Sequence, residues 1–278
     1  MSNISASPTK PTLASNKVIK TLLSFIAGFA YTILGLLILV AFWSLICIVA
    51  DAPDLPTPSE TLVTMLKLLE DPFQNDSPTS KGIGLQLLYS LGRVMKGFLI
   101  GTVIAIPLGA LIGNSKILSN ALMPLVNILK PVSPLAWFPI GLAVLKTSPS
   151  ATIFIIAITS LWPTVVNTAF GVLNINEDHK NVSKAFGFSK WKYITKVLLP
   201  SALPSIITGL RLSVGVAWLV IVAGEMLSGG SGIGFYVWDS YNGGDLSKVI
   251  CAILFIGIVG LMLDKIFTSI EKYFNYGK

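Results

Sequence analysis

The sequence predicts an all-α integral membrane protein with six transmembrane helices, and three observations predict it. Of its 278 residues 53% are hydrophobic and 12% charged, with mean hydropathy +0.76, so the chain is too apolar to cover itself with a wetted surface. Uncharged runs recur that are long enough to cross a hydrocarbon layer of roughly 30 Å. Between two such runs, residues 181–200 form one long polar, basic passage.

Taken in order, residues 1–20 are rich in Ser, Thr, Pro and Lys and read as a disordered tail. Thr21 to Ala50 has no charge and is about twice the length of a signal-peptide core, so it reads as a retained first span. Residues 51–84 form an acidic loop in which Ser59 to Leu69 suits a surface helix, and Gly84 to Arg93 is expected to lie along the membrane face. A five-span core is expected over 85–267. Its first span, Val94 to Gly113, carries Gly97-x-x-x-Gly101 and Gly109-x-x-x-Gly113, which place small residues on one helix face for close packing. The next, Ala121 to Leu145, is broken by Lys130-Pro-Val-Ser-Pro134. Such a break is tolerated only where protein or a water-filled cavity satisfies the freed backbone, so it points to a substrate path. Ser150 to Val172, Ser201 to Leu227 and Val249 to Phe267 complete the set, and 268–278 form the C-terminus. The glycine-rich loop Ser228 to Lys248, with Trp238 and Tyr241, suits a re-entrant or interfacial segment, and Gly229 to Gly234 a flexible turn.

Lysine and arginine counts orient the six spans: with both termini inside, twelve lie on that side and six on the other, counting Arg93 and Lys96 near the outer boundary. Those two fit the scheme by snorkelling to the outer headgroups. The basic passage then faces the cytoplasm within a loop over 174–199. Asp178 to Phe186 suits a short helix ended by Gly187 in a left-handed conformation. Ser189 caps a second helix, Lys190 to Leu199, closed by Pro200. Two helices joined at a glycine make a rigid basic bracket, suited either to lying on anionic lipid or to docking a protein.

Catalytic chemistry finds no residues here. There is no Walker A pattern, no zinc-binding His-Glu-x-x-His and no Ser-His-Asp set, and the only histidine, His179, reads as a solvated loop residue. Cys47 and Cys251 fall in apolar runs, which argues against a disulfide framework or thiolate metal site. The net charge of +7 is distributed along the membrane flanks, which argues against nucleic acid. What remains are ionisable residues within spans, which are expensive and therefore functional candidates. Arg211, counted from Pro200, falls near mid-membrane, and reads either as facing an aqueous cavity or anion, or as a structural pair with a helix C-terminus or Asn167. Glu225 nearer the outer face serves either hydrogen bonding or gating, and Lys130 sits in the broken span.

Gly187, nine residues, then Val197-Leu198-Leu199-Pro200 resembles the EAA loop of ABC importer membrane subunits, although Asn181-Val182-Ser183 stands where that family often has Glu-Ala-Ala. Lys130-Pro-Val-Ser-Pro-Leu-Ala-Trp-Phe-Pro139, Gly209-Leu-Arg211 to Trp218, and Ala223-Gly-Glu-Met-Leu to Gly234 resemble the permeases that move nitrate, taurine, aliphatic sulfonates and bicarbonate, those for nitrate/nitrite in cyanobacteria above all. The resemblance implies a type I (MetI-like) importer permease of the inner membrane, importing a small anion by alternating access. A homodimeric permease, two ATP-binding subunits that carry ATP and Mg, and an extracytoplasmic solute-binding protein would complete it. It implies ATPase coupling through Ser183, Lys184, Ala185, Phe186, Gly187, Lys190, Trp191 and Pro200, and a substrate pathway at Arg211, Lys130 and Glu225. An ion-gradient-driven transporter is the rival; it would need acidic or histidine relays in several spans, and only Glu225 qualifies.

Overall fold

A computed structural model describes residues 13–49, 54–76 and 81–275. The expected tail over residues 1–12 lies outside the described residues, as do Lys10, Asp51 and Lys278. Two compact units result, Met1–Thr61 and Leu62–Lys278.

In the first unit, α1 runs Leu13–Val49, so residues 13–20 begin the first helix rather than continuing a tail. Nothing between Pro11 and Ala27 breaks a helix, and Leu13, Val18 and Ile19 are apolar. Before α2 (Pro58–Glu70), the Thr57 side chain accepts from the Glu60 N–H, and the Glu60 carboxylate accepts from the Thr57 N–H at 2.8 Å, a reciprocal cap. These bonds hold the Glu60 carboxyl below its ordinary pKa.

The second unit is built on α3 (Ile83–Asn114), α6 (Ser148–Leu173) and α9 (Leu199–Ser228). Residues 84–93 are the first turns of α3 and do not form a separate segment along the membrane: no proline interrupts them, and the glycine nearest before Val94, Gly92, stands in open space and is carried within the helix. The small face of α3 meets α6 in matching order: Gly97 at Ile156, Gly101 at Ser160, Gly109 at Thr168 and Gly113 at Val172. The two helices are therefore parallel and nearly touch; a Cβ on Gly101 would lie 2.5 Å from Ser160 Oγ and 2.6 Å from the Ala157 carbonyl. α6 meets α9 in reverse order, with Gly209 on Asn167 and Gly224 against Thr152 and Ile155. Between them, a buried bond joins Thr164 Oγ1 and Ser213 Oγ at 2.8 Å.

Between α3 and α6 the chain makes α4 (Lys116–Leu129), a 3-10 turn over Pro134–Trp137 and α5 (Phe138–Leu145). α4 and the passage after it meet at 99°, the expected break. With that bent pair taken as one span, six segments among the described residues are long and apolar enough to cross a membrane. After α9 come α10 (Ile233–Asn242) and α11 (Leu246–Asn275). Val94, Ile155, Ile156, Ala217, Trp218 and Ile221 form the largest buried cluster, at the α3, α6 and α9 junction.

Candidate functional site

The bracket begins with α7 (Glu177–Ala185), whose N-cap Asn176 accepts from the Asp178 N–H and whose first turn is acidic. The Lys180 ammonium, 2.9 Å from Glu177, holds that exposed carboxyl below its ordinary pKa. At the tip, Gly187 adopts φ +61° with open space around it, so the requirement for glycine there is conformational and not steric. Phe186 and Trp191 flank the tip and are each 74% exposed, with Val182 at 52%. Ser183, by contrast, is buried, its Oγ donating to the Lys180 carbonyl at 2.7 Å.

The second helix of the bracket departs from expectation. Ser189 caps α8 (Lys190–Tyr193) as predicted, but Pro200 does not close it. The chain widens into a π-helical turn over Ile194–Leu198, with the Leu199 N–H donating to the Ile194 carbonyl, and passes straight into α9. Lys190 to Ser228 is thus one helix of 39 residues. Proline lacks the N–H that would reach the Lys196 carbonyl, and its ring would clash with that group; the wider turn moves the carbonyl aside.

α9 carries two ion pairs, one partway along and one near its far end. Partway along, Arg211 Nε donates to Asp264 Oδ1 and Nη1 to Glu271 Oε2, both at 3.0 Å, and Thr208 Oγ1 donates to Glu271 Oε1 at 2.6 Å. Asp264 and Glu271 are two turns apart on α11 and so share a face. The Arg211 side chain is 35% exposed and borders a cleft of about 440 Å3 with Leu212 and Gly215. One correction to the sequence reading follows. Asn167 donates instead to the Pro163 carbonyl, so the partners of Arg211 are carboxylates of another span. Arg211 is also level with Asp264, the first charge beyond the uncharged stretch 249–263 of α11.

At the far end, Glu225 is fully buried. Its Oε1 accepts from Arg93 Nη1 at 2.6 Å, and Oε2 from Ser90 Oγ at 2.7 Å and the Gly234 N–H at 3.0 Å. Arg93 also donates to the carbonyl and hydroxyl of Ser231, and Gln86 Oε1 accepts from the Gly232 N–H. Ser90 Oγ in turn accepts from the Ile233 N–H at 2.8 Å. Arg93 therefore does not snorkel to headgroups; it turns inward to the buried carboxylate. The glycine turn is tied to the same carboxylate: Gly232, at φ +108°, lies against Glu225, and any Cβ there would collide with it. Lys130 is exposed at the end of α4. In the broken passage beyond it, the Trp137 indole N–H is buried with no acceptor among the described residues.

Sequence reasoning missed Arg93, Ser90, Gln86, Asp264 and Glu271 as members of these clusters. A signal existed for Arg93, whose charge disagreed with the orientation count, and for Asp264 and Glu271, whose spacing matches two helical turns.

A glycine-seamed helical core, a broken span and a protruding basic bracket define a membrane-transport subunit, and the family comparison agrees. The chain belongs to the family of binding-protein-dependent transport system inner membrane components, matched over residues 97–275. It is a permease subunit of an ABC importer and not an enzyme. Among its relatives, the nitrate import permease protein NrtB of Synechocystis sp. is 43% identical over 235 residues, covering 84% of this chain and 85% of that one. The bicarbonate transport system permease protein CmpB of the same organism is 42% identical over 251 residues, covering 89% and 88%. The fold resembles the MetNI methionine ABC transporter in an inward-facing conformation, with TM-score 0.63 at 17% identity over 76% of this chain and 98% of that one. It also resembles a bacterial ABC transporter that imports alginate, with TM-score 0.61 at 17% identity over 94% and 99%.

Proposed function

We propose that this chain is the inner-membrane permease of an ATP-driven importer of nitrate or nitrite, and that the bracket over 181–200 docks a separate ATP-binding subunit in the cytoplasm. The observation that carries the docking is the continuity of bracket and span: Lys190 to Ser228 is one helix, so force applied at the tip reaches the membrane interior without a joint. Exposed Phe186 and Trp191 are the apolar anchors such a contact uses. Ser183 supports the tip from inside, Lys184, Ala185 and Lys190 border it, and Pro200 sets the wide turn. Both termini are then cytoplasmic. Two copies of the chain pair in the lipid, two ATP-binding subunits supply ATP and Mg, and a solute-binding protein delivers the anion from outside. Closure of the ATP-bound subunits draws the two brackets together, and hydrolysis releases them.

For the substrate, the likeness to NrtB favours nitrate, and the unpartnered Trp137 N–H in the broken span is a donor of the kind an oxyanion takes. Lys130, Arg211 and Glu225 belong to the pathway in graded ways. Lys130 attracts anions at the break, Arg211 with its two carboxylates borders the cleft partway along α9, and Glu225 fixes the far end. The second reading is bicarbonate, favoured by the similar identity to CmpB.

Uptake of labelled nitrate and labelled bicarbonate, measured in cells whose own uptake genes are deleted, separates the two anions. In the same cells Gly187→Trp should leave the protein inserted yet abolish ATP-driven uptake, since a non-glycine residue at φ +61° costs about 1 kcal/mol or more and the ring blocks the tip. Undiminished uptake by that variant would refute the docking.

A further inference from the structure

Behind the tip of the bracket, a cavity of about 370 Å3 opens between α7, α8 and the ends of α3 and α6. Lys180 and Lys184, four residues apart and so on one face of α7, line it together with Lys190 of α8, Ser183 and Tyr193. Among the described residues no carboxylate lines it. Glu177 pairs with Lys180, and Lys192 lies over the Phe188 ring at 4.2 Å. Lys184 and Lys190 form no ion pair among the described residues. Over 177–200 five lysines face only two acidic residues, and at the opening of the bracket stand Asn181, Val182 and Ser183, none of which carries charge.

We propose that the ATP-binding subunit inserts a carboxylate side chain into this cavity, between Lys184 and Lys190; the proposal rests on the docking reading above and adds the polarity of the joint. Ammonium groups of like sign lining a half-closed cavity repel, and desolvation by an approaching partner strengthens that repulsion unless the partner brings the opposite charge. A carboxylate removes the repulsion and gains charge-assisted hydrogen bonds from both lysines. Phe188 and Tyr193 line the cavity beside the lysines and limit the water around an inserted carboxylate, the arrangement in which an interfacial charge pair contributes most. A phosphate headgroup would also suit lysines, but the start of α7, four residues beyond the end of α6, carries Glu177 and Asp178. Those carboxylates repel an anion approaching from the span ends and leave the tip side open. The socket of the partner is therefore acidic and aromatic-accepting.

The test is the affinity of the full-length permease, in nanodiscs of phosphatidylcholine alone, for its purified ATP-binding subunit. Raising NaCl from about 0.1 M to about 1 M shortens the screening length from about 10 Å to about 3 Å and should weaken binding. The paired substitution Lys184→Gln with Lys190→Gln should weaken it roughly tenfold, and Lys184→Glu with Lys190→Glu roughly a hundredfold. Size-exclusion profiles of the Gln pair, whose side chains are exposed, verify folding. Binding that ignores both salt and charge reversal overturns the proposal. So does a Gln pair that loses affinity for phosphatidylglycerol vesicles while keeping its affinity for the ATP-binding subunit, which would make the cavity a lipid site. In either event the bracket still docks if Gly187→Trp uncouples uptake; if that variant imports normally, the docking reading falls as well.

Discussion

Replacing Arg93 by Met removes the counter-ion of a carboxylate that has no access to solvent. Glu225 would keep only the Ser90 hydroxyl and the Gly234 N–H, and Ser231 would lose both donors to its carbonyl and hydroxyl. Removing one partner of a buried ion pair costs roughly 3–5 kcal/mol, chiefly because the remaining charge stays desolvated. With Arg93 at 15% side-chain exposure and Glu225 at 0%, little solvent screening offsets that loss. At roughly 2–4 °C per kcal/mol for a chain of this size, the midpoint of thermal unfolding in detergent should fall by roughly 10 °C. Glu225→Met should also destabilise, by leaving Arg93 uncompensated. The double variant Arg93→Met with Glu225→Met leaves no charge at all, so its loss should be smaller than the sum of the single losses by roughly 2–3 kcal/mol. Melting curves of the four proteins by tryptophan fluorescence supply the cycle, and proteolysis within 229–234 reports whether the glycine turn has come loose. Additive losses, or an Arg93→Met protein as stable as the parent, would refute the view that this pair fixes α3, α9 and the turn to one another.

Gly232→Ala should destabilise by roughly 2–4 kcal/mol, because it combines a strained positive φ with a collision against the Glu225 carboxylate; the same melting assay reads it. Gly101→Leu should separate α3 from α6 and lower the yield of monodisperse protein, whereas Gly215→Ala, with nothing within 4 Å of its added carbon, should stay within about 0.5 kcal/mol of the parent. Arg211→Ala breaks a solvent-screened pair, so its effect on stability should be small. Nitrate uptake by that variant should nonetheless fall more than the amount of copurified ATP-binding subunit, because two carboxylates are left facing the cleft unneutralised; equal losses would make Arg211 a folding residue only.

The spans were legible because burial in lipid imposes long uncharged runs, and the break at Lys130 to Pro134 because proline announces itself. The glycine faces at 97, 101, 109 and 113 predicted tight packing, and α6 supplies the surface they pack on. Less legible was anything that depended on which helices become neighbours. Arg93 stood out only as a misplaced charge because its partner lies 132 positions away, and the carboxylates that pair with Arg211 went unseen for the same reason. Pro200 misled in the opposite direction: a local rule reads it as a stop, yet one widened turn lets the helix continue, and no sequence periodicity marks that choice.

That uninterrupted helix has a mechanical consequence. Thirty-nine residues at 1.5 Å each make a rod of roughly 58 Å, free at the bracket tip and pinned near its other extremity where Glu225 meets Arg93. A push of about 5 Å at the free tip swings the rod about that fulcrum by roughly 5 degrees, so displacement shrinks steadily along the lever arm. The exposed salt bridge to α11 lies partway along and must slide, while the sealed one at the pivot need only twist.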